Sequence, residues 1–445
     1  MKTPESQTAP GPGTLAFVTT ALIFLVLGSI SLAAQPGFLL ADTLTSAGQA
    51  WVTLMIYGFG LPAVFAAIYW ALPAAFSLPL FSKQAVFLHW GFHLAGLIVV
   101  LLASFFPDMP QAPMGATFLA CGGIIFVVNV GMTLRVMILP DASSAFLIAV
   151  IIWLAIALFL GLPFAPGAPL PMFVETNWKV GWLVFVVAGV LINTILGLAL
   201  RVTPVALGTE TPSSATSWWA LAVTNFAIAW MFPALTYGPL AGVFFCATVF
   251  LVGLLIYLGE FHGILQRSAS RAAGWETKIL LAALWMIPAA TTLLLWDVRE
   301  RIGLLSLAQS EAVAAASPAV ETTAPAVLSV LPMDWTAGLT ALLATAVPGL
   351  IALFFLLLKL QKGLPGDDAA VSVSGRLAGQ LLLAAFFNYA IGAGMLILGA
   401  WGASEKILSL GAIFLVVGSA GFIANFLGGL KNSPTEQPAT EACPT

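Results

Sequence analysis

Apolar residues fall along this chain in unbroken blocks of roughly 20 to 25, each long enough to cross a ~30 Å hydrocarbon core as a helix. The blocks do not alternate polar with apolar, so they are not barrel strands; in lipid, every backbone amide must be satisfied within its own segment. The pattern predicts an all-α integral membrane protein with about 12 transmembrane helices, at 14–34, 48–72, 84–106, 114–138, 143–162, 179–200, 216–236, 239–259, 278–297, 336–360, 377–400 and 407–430. Residues 14–34 end in Ser31-Leu32-Ala33-Ala34, which a signal peptidase could read. The run is longer than a typical signal-peptide core and follows a tail with a single lysine, so it is expected to be retained as the first helix.

Most connections between blocks are short, which makes consecutive helices antiparallel neighbours. The chain divides into a polar tail at 1–13, a single transmembrane domain at 14–430 and a second polar tail at 431–445. The long connection at 298–335 opens with Val298-Arg299-Glu300-Arg301 and turns Ala/Ser/Pro/Thr-rich from Ala312 to Ala326. It is expected to be a poorly ordered extracytoplasmic loop with room for a short interfacial helix.

Composition agrees with this pattern. The chain has 445 residues, 60% hydrophobic and 7% charged, with a mean hydropathy of +1.05. Soluble domains carry about 25% charged residues, so this chain cannot cover a water-facing surface. A net charge of −3 gives no polyanion-binding face and excludes nucleic acid as a partner. The three cysteines, Cys121, Cys246 and Cys443, form no CxxC or other thiolate pattern.

The basic residues set an orientation. With a cytoplasmic N-terminus, that side holds Lys2, Lys83, Arg135, Arg201, Arg267, Arg271, Lys278, Lys359, Lys362, Arg376 and Lys431, against Lys179, Arg299, Arg301 and Lys406 opposite. Eleven against four places both termini in the cytoplasm of a multi-pass cell-membrane protein, and removing one helix would scramble the bias.

Helices 2, 4 and 6 share a spacing. Gly58, Gly123 and Gly189 are followed eight residues later by Ala66, Gly131 and Gly197, and twelve residues later by Trp70, Arg135 and Arg201. Trp51 and Trp182 precede, and Pro73 and Pro204 follow, at equal distances from their glycines. This is either a stripe of small residues common in packed membrane helices or a duplicated helix hairpin.

Few residues carry chemistry. His89 and His93 lie four apart on helix 3 and share one of its faces. They are candidates for binding a metal or haem; the alternative is that they hydrogen-bond neighbours or face headgroups near the cytoplasmic end. His262, in Glu260-Phe261-His262-Gly263, is read as a loop or interfacial residue just after helix 8. Asn129, Asn193, Asn225, Asn388 and Asn425 fall inside spans, where an unpaired amide is costly, so they are expected to face other helices. Interhelical hydrogen bonding is one role for them and lining a polar cavity for a small ligand or quinone is another. Arg135 and Arg201 at helix ends read as interfacial anchors, or as contacts for propionate or phosphate. Tryptophans near span ends, Trp218, Trp219 and Trp296 among them, form the expected aromatic belt. No Walker loop, GxSxG, HExxH or paired-carboxylate motif is present.

The stretch from Trp51 to Leu72, with its glycines, small residues and closing Tyr69-Trp70-Ala71-Leu72-Pro73, resembles a helix of haem–copper oxidase subunit I. It is closest in flavour to the C-type oxidases and to oxidase-like membrane proteins linked to nitric oxide response. That family also has twelve spans, cytoplasmic termini and three similar arcs of helices, so the resemblance implies an oxidase-like bundle with pseudo-repeats. The family holds two haems and a copper with histidines on helices 2, 6, 7 and 10. Here those four helices contain none, and Met231 alone cannot replace a three-imidazole copper site. The resemblance therefore implies an oxidase-like protein without the family's redox centres, in an accessory role beside other membrane or electron-transfer proteins. Two alternatives stay open: a haem- or copper-binding protein using His89 and His93, and a secondary transporter. Against the transporter, no acidic residue lies in mid-membrane.

Overall fold

A computed structural model describes residues 10–35, 50–51, 53–106, 112–137, 140–161, 181–211, 214–237, 239–267, 275–315, 336–361, 383–395 and 405–431. Its elements are α1 (Pro12–Ala34), α2 (Thr53–Ala74), α3 (Lys83–Phe105), α4 (Ala112–Leu134), α5 (Ala142–Gly161), α6 (Gly181–Leu207), α7 (Ala215–Tyr237), α8 (Leu240–Arg267), α9 (Trp275–Ala315), α10 (Thr336–Gln361), α11 (Leu383–Met395) and α12 (Glu405–Lys431). Strands are absent among the described residues. Nine of the described helices, α1 to α9, are long and apolar enough to cross a membrane, and shorter apolar stretches lie at Ala346–Leu358, Leu383–Met395 and Leu410–Asn425. The expected polar tails lie outside the described residues, apart from 10–13 and Lys431.

Local sequence sets the helix ends. Pro12 opens α1, where a missing N–H costs nothing. Ser82 caps α3 by accepting from the Ala85 N–H at 3.1 Å. Asp141 caps α5 through the Ser144 N–H at 2.7 Å. Gly208 closes α6 in the left-handed conformation, φ 63°, which glycine adopts without strain.

Two helices are set apart from the others by burial. In α2 and α6 the most apolar window is 94% buried, against 33–50% for the other seven long helices. The Ala346–Leu358 stretch of α10 is likewise enclosed on all sides. These three helices touch one another and form a central triangle, and the other helices pack around it. Every fourth helix is thus an inner one. The outer helices turn Phe87, Ile124, Phe159, Trp219, Trp230, Trp285 and similar side chains outward, the surface that lipid tails wet.

The chain repeats, but not in the unit that the spacing of helices 2, 4 and 6 gives. A Cβ at Gly96 of α3 would stand 2.7 Å from the Gly115 carbonyl and 2.8 Å from the Leu119 N–H of α4. A Cβ at Gly392 of α11 would stand at the same distances from Gly411 and Leu415 of α12. All three positions recur 296 residues on. A second contact relates three hairpins: Gly122 abuts the His93 backbone nitrogen, Gly253 that of Thr224, and Gly418 that of Tyr389. The α7–α8 pair stands 131 residues after α3–α4, the same step that separates Gly58 from Gly189 and Trp51 from Trp182. The sequence carries the match: Gly115-Ala116-x-Phe118-Leu119-x-x-Gly122-x-x-x-Phe126-x-x-Asn129 returns as Gly411-Ala412-x-Phe414-Leu415-x-x-Gly418-x-x-x-Phe422-x-x-Asn425.

Three corrections follow. The Gly58/Gly189 match of helices 2 and 6 is structural: both glycines lie in eight-residue π-helical stretches, Thr53–Gly60 and Phe185–Ile192, each close against an aromatic ring of the preceding helix, Phe24 and Trp153 respectively. Helix 4 shares neither the π turn nor the aromatic contact: α4 is an outer α-helix, a Cβ at Gly123 would meet the Leu158 side chain of the following helix, and nothing lies within 4 Å of a Cβ at Gly131, whereas its counterpart Gly197 abuts Phe146. The expected loop at 298–335 is helical in its first part, because α9 runs 41 residues to Ala315; at 1.5 Å per residue that is about 60 Å, twice the hydrocarbon core. Beyond the span, Val298 is buried with Met231, Leu235 and Val243 at the end of the α7–α8 hairpin, and Ile302 packs beside it. Residues 316–335 lie outside the described ones. Finally, α8 extends to Arg267, so His262 is an exposed residue of its last turns rather than of a loop.

Candidate functional site

The two histidines of α3 turn inward. His89 is 0% exposed and His93 2%, so neither meets headgroups. They sit where α1, α2, α3 and α4 converge, because Gly122 of α4 leaves room for the His89 ring: a Cβ there would be 3.2 Å from His89 Cδ2. Phe17 of α1 and Phe65 of α2 lie 4.6 and 4.5 Å from the His89 ring centre, with Phe126 of α4 at 5.6 Å.

Each imidazole has one tether. His93 Nε2 donates to the Tyr57 carbonyl at 2.7 Å. This carbonyl is available because Tyr57 lies in the π-helical stretch, five residues before Pro62. The next donor in the π register would be the Pro62 nitrogen, which carries no hydrogen. His89 Nδ1 lies 3.2 Å from the Tyr69 hydroxyl, which also reaches the Asn129 amide. Asn129 in turn holds the turn before α3, accepting from the Ser82 N–H at 2.9 Å and donating to the Ser82 carbonyl at 3.1 Å. Polar contacts therefore run from the Ser82 end of α3 through Asn129 and Tyr69 to His89. His89 Nε2 is buried with no hydrogen-bond partner. A porphyrin bound at that nitrogen would have to displace Phe17 and Phe65.

The other in-span asparagines lie elsewhere. Asn225 of α7 accepts from Trp153 Nε1 of α5 at 2.6 Å and from Asn193 Nδ2 of α6 at 2.9 Å, and so joins three helices. Asn193 also donates to the Gly189 carbonyl, in the second π-helical stretch. Asn388 and Asn425 donate to carbonyls of their own helices, Ala384 and Gly421. Arg201 is engaged within the protein: its Nε donates to the Ala75 carbonyl at 3.0 Å, its Nη1 lies 3.4 Å from Asp141, and its guanidinium lies over Phe76. It thereby fastens the end of α2 to α6 and α5. Arg135 is exposed at the end of α4.

Among the described residues no group of three or more His, Cys, Asp or Glu side chains could hold a metal ion. Sequence periodicity puts His89 and His93 on one face but does not say which way that face turns. The missed partners, Tyr57 and Tyr69, sit on a different helix, and the free Tyr57 carbonyl depends on a π turn that leaves no mark in the hydrophobic pattern.

Fold and surface define a multi-pass all-α membrane protein in contact with the lipid bilayer. No family model matches the chain, and no curated protein matches it.

Proposed function

We propose that this is a twelve-span protein with an oxidase subunit I-like scaffold that lacks the family's redox centres and serves as an accessory, partner-binding component of the cell membrane. The observation that carries the reading is the buried second helix of each four-helix unit, α2, α6 and α10, meeting at the centre of three related hairpins. That arrangement matches the three arcs of helices which the resemblance implies. The twelve apolar segments and the eleven-to-four bias of basic residues agree with twelve spans and cytoplasmic termini.

The redox centres are another matter. The inner helices and α7 carry no histidine, so the axial ligands that hold and tune haem iron in the family are missing from their positions. Such a scaffold keeps an extensive lipid-embedded surface and a rigid centre, which suits assembly with other membrane or electron-transfer proteins better than turnover. The transporter reading gains no support: Asp141 directly precedes α5, and Glu260 lies about two turns before the end of α8, paired with Arg267 at 3.5 Å. The test is a visible spectrum of the detergent-purified protein, oxidised and dithionite-reduced, with a pyridine haemochrome assay. The expected result is no Soret band and less than about a tenth of a haem per chain. One haem per chain would overturn the reading.

A further inference from the structure

The π-helical stretches of α2 and α6 lie in one register, 131 residues apart, and α6 closes its stretch with a single residue. The Asn193 N–H donates to the Ala188 carbonyl five residues back, and Asn193 Nδ2 donates to the Gly189 carbonyl at 3.0 Å. At the matching place, 131 residues earlier, α2 has Pro62, with Tyr57 five residues before it. Proline has neither an N–H nor a side-chain donor, so it can serve neither carbonyl. The Tyr57 carbonyl is served from another helix instead, by His93 Nε2 of α3 at 2.7 Å. The counterpart of His93 in the second hairpin is Thr224, whose hydroxyl donates to the Ala220 carbonyl of its own helix at 2.7 Å. Histidine stands on the hairpin whose inner helix lacks the donor, and threonine on the hairpin whose inner helix supplies it.

The His93 bond favours one winding of α2 over the other. In an α-helix the Tyr57 carbonyl would accept from the Leu61 N–H four residues on, and the imidazole would have nothing to bond there. Only the π winding leaves that carbonyl to His93. The winding also decides which way the helix faces. A π turn holds one extra residue, and losing it would rotate the segment before Gly60 by about 100° relative to the remainder of α2. The π winding puts the Tyr57 ring on Trp182 of α6, stacked at 6.0 Å, and brings Gly58 against Phe24 of α1. His93 is itself firmly placed, since it is buried and Gly122 of α4 abuts its backbone nitrogen.

We propose that His93 is a latch on the register of α2: by donating to the Tyr57 carbonyl it replaces the N–H that Pro62 lacks, holds the π turn, and fixes which residues α2 presents to α1 and α6. The latch requires no ligand, so it stands or falls separately from the haem assay.

The experiment is a double-mutant cycle on the detergent-purified full chain, read as the unfolding equilibrium constant in a denaturing-detergent titration. His93→Leu removes the donor, and Pro62→Asn gives α2 the residue that serves this place in α6. His93→Leu alone should raise the unfolding constant about 10-fold or more, the effect of stranding a buried acceptor. In the Pro62→Asn background the same change should cost less than about 3-fold, because the backbone N–H at position 62 then reaches the Tyr57 carbonyl. Lost packing of the imidazole is common to both backgrounds and cancels. Equal losses in the two backgrounds would overturn the proposal, as would a His93→Leu chain as stable as the wild type. If His93→Leu alone does not fold, recovery of a folded chain on adding Pro62→Asn is the expected result, and failure to recover overturns the proposal. A Pro62→Asn chain that does not fold with His93 in place overturns it too, since α2 and α6 would then not share one kind of turn.

Discussion

Asn225 accepts two hydrogen bonds across helix boundaries while its own amide donates to the Leu221 carbonyl at 2.9 Å. Removing it strands Trp153 Nε1 and frees half of the Asn193 amide, both buried. Buried donors left without partners cost about 1–3 kcal/mol each in water-soluble proteins, while interhelical hydrogen bonds in membranes average about 0.6 kcal/mol. Asn225→Leu is therefore expected to lower the unfolding free energy by about 1–2 kcal/mol in a denaturing-detergent titration. Asn388→Leu, which deletes a bond to its own helix only, should stay within about 0.5 kcal/mol. Equal effects for the two would mean that the three-helix junction contributes nothing. A sequence places all five amides within spans equally well. It does not distinguish Asn225 from Asn388, because the difference lies in which helix stands opposite.

At the scale of helices, close approach is set by glycines whose missing Cβ is filled by the neighbouring backbone. Gly96 and Gly392 meet backbone atoms that cannot swing away, whereas Gly131 faces open space. Gly96→Ala and Gly392→Ala should each destabilise by about 1–3 kcal/mol by forcing their hairpins apart. Gly131→Ala should be neutral or stabilising by up to about 1 kcal/mol, since alanine has the higher helix propensity. Thermal unfolding of the three variants checks this, and a destabilising Gly131→Ala would contradict the assignment of α4 to the outer ring. Much at this scale was legible in the sequence: unbroken apolar runs located each of the described helices, since only a helix can bury its amides in lipid. The π-helical stretches, the 41-residue length of α9 and the 296-residue repeat were not. A π turn inserts one residue without changing hydrophobicity. The middle of α9 is held by Val298 against α7 and α8, a contact distant in sequence. The third unit is hidden by the longer stretch between α10 and α11.

Across the whole molecule, the repeating unit is four helices with the second one buried, and the three buried helices meet. The match between helices 2 and 6 pointed toward this symmetry, while the match to helix 4 pointed away from it, since similar glycine spacings arise wherever membrane helices pack closely. Among the three related hairpins only the first carries histidines, where His89 and His93 stand in place of Ala220 and Thr224 in the second and Ala385 and Tyr389 in the third. The centre of the bundle, where α2, α6 and α10 meet, is filled by side chains such as Trp70, Phe354 and Leu191. The most direct measurement of this account is a cryo-electron microscopy map of the detergent-purified chain. It should show twelve membrane-spanning helices in three related groups, α2, α6 and α10 packed against one another at the centre, and no planar density between them. A porphyrin wedged between the inner helices, or an arrangement in which α2, α6 and α10 do not meet, would contradict it.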